Sequence, residues 1–225
     1  MALTGEDVTG RRLVIFDFDG TLADTVDGIC ATARTVLLAH GISEEGLGDL
    51  RRIIGPPFPQ AFSLVYGFDE REAAQVTAEY RAIYQGLGIE GWPLYPGMRA
   101  ALETLRAAGR SLAVASSKRE ALVARAVADN GVGDLFDVVL GKQSDAQASK
   151  AATIARVLEL TGSEPGDAVM VGDRHHDVEA AAEVGVACVG VTYGGTAAPG
   201  ELEGAGACAV AGSVEGLLRV LLGSA

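Results

Sequence analysis

The sequence has few basic residues and few cysteines. Its 225 residues include 18 Lys and Arg against 30 Asp and Glu, which gives a formal net charge of −12. A protein that binds duplex nucleic acid needs a basic face, so this balance argues against a nucleic-acid polymer as partner. The three cysteines, Cys30, Cys188 and Cys208, are widely spaced and form no CxxC pair. We expect free thiols, and we exclude a disulfide framework and a cysteine-ligated zinc site.

Long hydrophobic runs are also missing. No apolar stretch reaches the roughly 20 residues that span a bilayer, and the opening residues, MALTGEDVTGRR, lack the basic and then apolar order of a signal peptide. We therefore expect a cytoplasmic protein with no membrane partner. The chain is nevertheless 48% hydrophobic, with 30 Gly and only 7 Pro, a composition typical of a globular protein with a sizeable core. These patterns leave the oligomeric state open.

Short apolar runs alternate with segments of helical periodicity. One such segment follows Pro96 and carries Met98, Leu102 and Leu105 at helical spacing. The runs of strand length lie at 13–16, 111–115, 137–140, 168–171, 187–191 and, more weakly, 207–210. This alternation predicts an α/β fold with a doubly wound, Rossmann-like parallel sheet that is covered on both faces.

The interval between the first two predicted strands is much longer than the others. It contains about 95 residues, whereas an ordinary crossover needs a dozen or somewhat more. Helical patterns at 24–40, 44–53, 58–66 and 70–88 fill this interval, which also holds 8 of the 12 aromatic residues. We therefore predict two domains: an α/β core formed by 1–23 and 96–225, and a small helical cap, 24–95, in which the aromatic rings pack together.

Carboxylates follow two of the predicted strands. Asp17 and Asp19 lie in DFDGT after the first strand, and Asp173 follows the strand 168–171, with Asp177 four residues later. Strand ends of a parallel sheet meet at one edge, where doubly wound folds bind ligands. Asp-Gly and Gly-Asp also occur in ordinary turns, but two such motifs on one edge favour a hard cation. Mg²⁺ binds carboxylates, water and phosphate oxygens, so we predict Mg²⁺ here.

Groups suited to an anion follow other predicted strands. Only three of the 18 cationic residues are lysines, Lys118, Lys142 and Lys150, and each follows a strand end. A lysine presents a compact point charge, although Lys118 and Lys142 could equally lie in solvated loops. Ser116 offers a hydroxyl at the same edge, where it could also cap a turn. With the carboxylates, these groups predict a site that removes phosphate from a small phosphate monoester.

The predicted chemistry uses two carboxylates in different roles. Asp17 is expected to attack phosphorus and form an aspartyl-phosphate, while Asp19 protonates the leaving oxygen and later deprotonates water. The other expected groups stabilise charge on the phosphoryl oxygens. They are Mg²⁺, Ser116, Lys150 and the backbone N–H groups of the turn from Asp17 to Thr21, including that of Phe18.

These motifs resemble those of the haloacid dehalogenase superfamily over almost the whole chain. DFDGT at 17–21 looks like the first motif of that superfamily, ASSK at 115–118 like the second, and VGDRHHD at 171–177 like the fourth. Lys150 in SKAATI is similar to the lysine of the third motif. Within the superfamily, IGPPFPQAF, YPGM and VTYGGTAAPGEL most resemble the branch of phosphoglycolate phosphatases and 5′-nucleotidase-like proteins.

The resemblance implies a Mg²⁺-dependent phosphatase with a small helical cap that closes over small substrates. It further implies that Asp17 binds the metal through its carboxylate, Asp19 through its backbone carbonyl, and Asp173 as a third ligand, while Asp177 supports the water shell of the metal. Ser116 occupies the position of the phosphate-binding hydroxyl. Ser117, which is also expected to bind phosphate, stands where that branch often has Asn. Phosphoglycolate is the first candidate substrate and a nucleoside 5′-monophosphate the second.

Other functions share part of this constellation. A phosphomutase uses the same aspartyl-phosphate but excludes water, and a dehalogenase needs neither Asp19 nor the metal cluster. A receiver domain carries its phosphoacceptor on a later strand and has no insertion of this size. A catalytically silent phosphate-binding module is the non-enzymatic alternative.

Two pairs of charged residues have simpler interpretations. His175 and His176 could suggest a transition-metal site, but adjacent residues rarely share a metal, so we interpret them as part of a solvated loop. Arg51 and Arg52 could meet a second anionic group of a substrate, but a solvated helix face explains them as well.

Overall fold

The structure, a computed structural model, describes residues 7–54, 56, 58–144 and 149–223. Residues 1–6 and 224–225, which belong to the predicted core domain, lie outside this part. Six strands form one parallel sheet in the order β3-β2-β1-β4-β5-β6. They are β1 (Leu13–Phe16), β2 (Ser111–Arg119), β3 (Val138–Lys142), β4 (Ala168–Gly172), β5 (Ala187–Val191) and β6 (Ala209–Ala211). The predicted doubly wound α/β fold is confirmed.

The helices fall into two groups along the chain. Between β1 and β2 lie α1 (Val26–Ala39), α2 (Glu44–Leu47), α3 (Gln60–Tyr66), α4 (Glu70–Gly86) and α5 (Met98–Ala107). The later crossovers carry α6 (Glu120–Asp129), α7 (Lys150–Thr161), α8 (His175–Glu183) and α9 (Glu201–Ala205), and α10 (Val214–Leu222) follows β6. Short 3₁₀ turns occupy Leu50–Ile53, Gly88–Gly91, Gly133–Leu135 and Pro165–Asp167.

The central strands are buried on both faces. All four residues of β1 and all five of β4 are buried, as expected for a parallel sheet between helical layers. Leu13 and Ile15 belong to one core cluster with residues of α7 and α8 such as Ile154 and Val178. Side chains alternate along a strand, so Val14 and Phe16 point to the other face, where both are also buried.

The strand order places a ligand-binding edge between β1 and β4. From β1 the chain proceeds outward through β2 and β3, then returns to β4 on the other side of β1. Ligands bind beyond the carboxyl ends of the strands at such a reversal. Phe16 at the end of β1 pairs with Val171 of β4 and Val114 of β2, so the residues that follow these positions start at the same level of the sheet.

Strand β2 is longer than the sequence predicts. The prediction ended it at Ala115, but it continues to Arg119 with a register shift against β3 between Ala115 and Arg119. A bulge of this kind re-aims side chains at the end of a strand. Ser116 and Ser117 are therefore part of the strand end rather than of a separate loop.

The inserted segment forms a compact unit of its own, Thr25–Pro93. Its helices α1 and α4 pack together, and α4 also packs on α3. The aromatic rings form a chain of contacts, in which Tyr80 stacks on Tyr84 at 5.4 Å and Tyr84 meets Trp92 edge-on at 5.4 Å. Tyr84 and Trp92 are almost fully buried. These contacts agree with the prediction that the aromatic rings of the insertion pack together.

The compact insertion differs from the predicted boundaries of 24–95 by one residue at its start and two at its end. Leu94 and Tyr95 belong with the α/β core. The Leu94 N–H donates to the side chain of Asn130 at 3.2 Å, and the Tyr95 N–H donates to the Leu22 carbonyl at 3.0 Å. Among the described residues, no helix is long and apolar enough to cross a membrane.

Candidate active site

Three carboxylates meet at the edge between β1 and β4. The backbone N–H of Asp17 donates to the carbonyl of Val171 at 2.9 Å, which fixes Asp17 beside the end of β4. Asp173 directly follows β4, and Asp177 lies in the first turn of α8. One carboxylate oxygen from each of the three aspartates lies within 4.8 Å of the others, and all three residues are buried. The structure thus brings together the carboxylates that the sequence placed on one edge.

Lys150 supplies the positive charge in this cluster. It is the first residue of α7, and its Nζ lies 2.9 Å from Oδ1 of Asp17 and donates a hydrogen bond to Oδ1 of Asp177. Its side chain is only 8% exposed. Burial alone would lower the pKa of Lys150, but Asp17 and Asp177 raise it above its ordinary value. Lys150 is therefore a charged ammonium.

One ammonium does not balance three buried carboxylates. Burial raises the pKa of Asp17 to about 6, and Asp177 and Asp19 add to the increase, whereas Lys150 opposes it. Burial also raises the pKa of Asp173 well above its ordinary value, with further contributions from Asp177 and Asp17. Without a cation, these carboxylates repel each other in a medium that screens charge poorly.

The arrangement fits a hard divalent cation. Oδ1 of Asp17 is buried and lies 2.9 Å from Nζ of Lys150, and no other described donor reaches it, so it keeps a lone pair for a ligand. Three carboxylates and one ammonium leave two negative charges, which one divalent cation neutralises. All donors on offer are oxygens, the donor type that Mg²⁺ prefers. Asp17, Asp173 and Asp177 are the residues that could hold it.

Hydrogen bonds and close backbone approach fix the Asp173 carboxylate. The hydroxyl of Thr21 lies 3.5 Å from Oδ1, and that of Thr196 donates to Oδ2. Gly20 passes so near that a Cβ there would lie 2.7 Å from Cγ of Asp173, and its φ of +77° also favours glycine. The Asp-Gly step after β1 is therefore required by the position of Asp173.

The Asp177 carboxylate is held from two sides. Besides Lys150, the backbone N–H of Arg174 donates to Oδ2 at 3.0 Å. This contact caps α8, because Asp177 is the third residue of the helix and reaches back to the residue before its start. Gly172 leaves the space that the Asp177 side chain occupies. Helix capping and site assembly thus depend on the same carboxylate.

Asp19 is paired with Lys118. Nζ of Lys118 donates to Oδ1 of Asp19 at 2.7 Å, and the same ammonium lies 5.8 Å from the centre of the Phe18 ring. The Lys118 side chain is 7% exposed. The sequence left a solvated loop open for this lysine, and the structure corrects that interpretation, because the end of β2 directs it to Asp19.

The remaining predicted phosphate-binding residues have distinct surroundings. Ser116 is buried, and its hydroxyl accepts a hydrogen bond from the Lys118 N–H at 3.2 Å. Ser117 is exposed, and no hydrogen bond among the described residues joins it to the carboxylates. Their phosphate-binding roles stay predictions.

The turn after β1 offers two free backbone donors. The N–H groups of Gly20 and Thr21 donate within the turn, to Ala23 at 2.9 Å and to Phe18 at 3.4 Å. In the described part of the chain, the N–H groups of Phe18 and Asp19 have no partner. Phe18 and Asp19 therefore present the donors that could reach an anion, while Thr21 contributes its hydroxyl to Asp173.

Sequence reasoning missed several residues that support the site. Thr196 bonds Asp173, and the hydroxyl of Tyr193 donates to the carbonyl of Thr21 at 2.6 Å. Glu201 accepts hydrogen bonds from the Arg174 side chain at 2.9 Å and from the backbone of His175 at 3.1 Å. All three missed residues lie in the segment VTYGGTAAPGEL. In the sequence, this segment stands out only because it resembles a branch of the superfamily. Its residue types do not indicate that these three side chains would support the site.

Glu201 is a strongly stabilised carboxylate near the site. Burial opposes its ionisation, but hydrogen bonds from Ala198, His175 and Arg174 lower its pKa to about 2. It is therefore charged at neutral pH, and it ties the start of α8 to α9.

The residues at this edge of the sheet lie in a segment that matches a known protein family. The family profile described as haloacid dehalogenase-like hydrolase matches residues 14–191. The chain belongs to this family. The matched segment contains every residue of the carboxylate cluster and the predicted phosphate-binding residues.

Curated relatives carry different activities in their names. The chain is 36% identical over 183 residues to a 5′-nucleotidase of Pseudomonas aeruginosa, covering 80% of this chain and 82% of that protein. It is 33% identical over 190 residues to a phosphoglycolate phosphatase of Pseudomonas putida, covering 81% and 70%. It is also 37% identical over 189 residues to the tyrosine-protein kinase PtkA of Mycobacterium tuberculosis, covering 81% of this chain but only 62% of the kinase.

Solved structures show the same fold. The crystal structure of a predicted phosphatase from Clostridium acetobutylicum superposes with a TM-score of 0.86 at 32% identity, covering 93% of this chain and 97% of that one. The predicted membership of the haloacid dehalogenase superfamily is confirmed, as is the prediction that the protein is a hydrolase of the phosphatase type.

Proposed function

We propose that the protein is a Mg²⁺-dependent phosphatase that hydrolyses a small phosphate monoester through an aspartyl-phosphate on Asp17. The buried Asp17 carboxylate, next to Lys150 and within 4.8 Å of two further carboxylates, is the observation that supports this proposal most strongly. A nucleophilic carboxylate needs an electrostatic environment that offsets the charge of an approaching phosphate, and a cation together with Lys150 supplies one.

In the first step, a carboxylate oxygen of Asp17 attacks phosphorus and the ester P–O bond breaks. Asp19 donates its proton to the leaving alkoxide, which departs as an alcohol. In the second step, Asp19 takes a proton from water while the water oxygen attacks phosphorus. The acyl phosphate P–O bond then breaks, inorganic phosphate leaves, and the Asp17 carboxylate is regenerated.

The other residues hold charge and geometry. In this proposal Lys150, the hydroxyl of Ser116 and the free N–H groups of Phe18 and Asp19 donate to phosphoryl oxygens. Lys118 orients Asp19 by donating a hydrogen bond to Oδ1, which leaves Oδ2 to carry the proton that Asp19 transfers. Asp17 and Asp173 would hold Mg²⁺, with Asp177 supporting its water shell, and the ion would supply further positive charge next to the phosphoryl group.

We propose phosphoglycolate as the first candidate substrate and a nucleoside 5′-monophosphate as the second. Each is supported by a relative whose name states that activity, and the two relatives are similarly distant from this chain. The match to the kinase-named relative covers only 62% of that protein. We therefore do not extend its kinase activity to this chain.

A phosphate-release assay tests the proposal. The panel contains phosphoglycolate, sugar phosphates and nucleoside 5′-monophosphates, each with Mg²⁺ and with a chelator. We expect metal-dependent release that is concentrated on one substrate class. Intact-mass analysis after rapid quenching should show one added phosphoryl group on the native chain and none on Asp17→Asn.

Other outcomes separate the alternatives. An isomeric sugar phosphate formed without phosphate release would favour a phosphomutase. Folded protein that binds phosphate esters without turnover would favour a silent binding module. Undiminished turnover by Asp17→Asn would exclude the covalent mechanism.

A further inference from the structure

The first turn of α8 carries a second group of potential metal ligands. His175, His176 and Glu179 each offer a ligand atom, and these atoms lie within 4.8 Å of one another. Glu179 lies four residues after His175 and three after His176, so its side chain can meet either histidine from the next turn of the helix. The sequence interpretation of the two histidines as loop residues is wrong, because α8 begins at His175.

The side chains are close and accessible. The two imidazole centroids are 3.8 Å apart, and Nδ1 of His176 lies 3.8 Å from Oε2 of Glu179. Two ligand atoms bound to one ion at about 2.1 Å are separated by roughly 3–3.5 Å, so a small side-chain rotation brings these groups to a common ion. The side chains of His175, His176 and Glu179 are 34%, 48% and 63% exposed, so solvent reaches all three.

Glu201 orients His175 for metal binding. Its Oε1 lies 2.8 Å from Nδ1 of His175. A carboxylate oxygen can only accept here, so Nδ1 of His175 is the donor in this contact and Nε2 is the ring nitrogen left to bind a ligand. A carboxylate that holds the second ring nitrogen of a ligating histidine is the usual support of such a site.

Two nearby features oppose a cation but do not exclude it. The amino end of α8 carries partial positive charge, and Arg174 is the preceding residue. The Arg174 guanidinium, however, is paired with Glu201 at 2.9 Å. Glu179 adds a negative ligand of its own.

We infer that His175, His176 and Glu179 bind one divalent transition-metal ion, with Zn²⁺ as its most accessible representative. Two imidazoles and one carboxylate suit Zn²⁺, Ni²⁺ and Cu²⁺, whereas the all-carboxylate cluster of Asp17, Asp173 and Asp177 suits Mg²⁺. The inferred site is independent of the proposed phosphatase activity, since it shares no ligand with that cluster.

Zn²⁺ titration by calorimetry in excess Mg²⁺ tests the inference, because Mg²⁺ occupies the carboxylate cluster. We expect one Zn²⁺ per chain, with affinity at least about tenfold weaker in His176→Asn and in Glu179→Gln. His40→Asn is the matched control. His40 is the third histidine of the chain and also contacts a glutamate, with Nε2 2.9 Å from Oε2 of Glu79. Zn²⁺ affinity should be unchanged in this variant.

Imidazole ¹⁵N NMR gives a second readout that does not depend on the variants. With only three histidines, Zn²⁺ should shift the ring nitrogens of His175 and His176 and leave those of His40 in place. Equal Zn²⁺ affinity in the native chain and in both ligand variants would overturn the inference. So would Zn²⁺ binding that disappears in Asp173→Asn, because the ion would then occupy the carboxylate cluster.

Discussion

Nζ of Lys118 lies 2.7 Å from Oδ1 of Asp19, although 99 positions separate the two residues in the sequence. The pair joins the end of β2 to the turn after β1. In the proposed mechanism Asp19 transfers a proton in both steps, so the position of its carboxylate decides how well each proton is aligned. Lys118 is therefore a positioning residue for Asp19.

Replacing Lys118 should lower kcat more than it changes KM. We expect Lys118→Met to reduce kcat by about 10- to 100-fold, because a misplaced proton donor loses much of its contribution. Lys118→Arg should recover part of the loss. The exposed pair of Arg12 and Asp167, 3.2 Å apart, provides a control, and Arg12→Met should leave kcat within about twofold. A change confined to KM would contradict the positioning role.

The sequence was informative where local chemistry determines structure. The apolar runs before Asp17 and Asp173 end where polar residues begin, and parallel strands must present these ends on one edge, so the carboxylate cluster followed from pattern and topology. Lys150 was assigned to the same site, but from resemblance rather than from spacing.

Other features depend on contacts that leave no local pattern. The ion pair of Lys118 and Asp19 and the bond from Thr196 to Asp173 join distant segments. The start of α8 was hidden because Arg174 stands at the N-cap position, where Ser, Thr, Asp or Asn is usual. The cap is supplied instead by Asp177 from within the helix. Without a usual N-cap residue at this position, the sequence predicts a loop rather than a helix for the two histidines after Arg174.

Thr196 should tune metal affinity. Its hydroxyl donates to Oδ2 of Asp173 and thereby fixes a carboxylate of the proposed Mg²⁺ site. We expect Thr196→Val to raise the Mg²⁺ concentration for half-maximal activity by about tenfold, with little change in kcat at saturating Mg²⁺. Thr104→Val is the matched control, because that hydroxyl donates to the Ala100 carbonyl on the exposed face of α5. An identical Mg²⁺ dependence in both variants would refute the assignment.

The metal-free protein should show a stability contribution from Asp17 that depends on pH. Because its pKa is raised to about 6 in the folded state, the folded protein binds the proton more tightly than the unfolded chain does. Ionised Asp17 therefore destabilises the fold above pH 6, and this penalty is relieved as pH falls from about 6 to about 4. The full penalty is on the order of 3 kcal/mol.

Thermal unfolding in a chelator measures this contribution. Asp17→Asn should unfold at a higher temperature than the native chain at pH 7, and the difference should shrink towards pH 4.5. Mg²⁺ should stabilise the native chain at pH 7 and have a much smaller effect on Asp17→Asn. Asp167→Asn, which removes a partly exposed carboxylate, should show no such convergence. A pH-independent offset between Asp17→Asn and the native chain would argue against the raised pKa.

Gly20 should be essential for the site beyond its effect on backbone conformation. Its φ is +77°, and a Cβ would lie 2.7 Å from Cγ of Asp173. Gly109 has a similar φ of +79°, but a Cβ added there would meet no described atom within 4 Å. Both Gly→Ala changes should cost about 1–2 kcal/mol of unfolding free energy from backbone strain. Only Gly20→Ala should also displace Asp173 and weaken Mg²⁺ binding by more than about tenfold. Calorimetric Mg²⁺ titration and chemical denaturation of the two variants separate strain from displacement, and equal Mg²⁺ affinity would show that Asp173 does not depend on the space that Gly20 leaves.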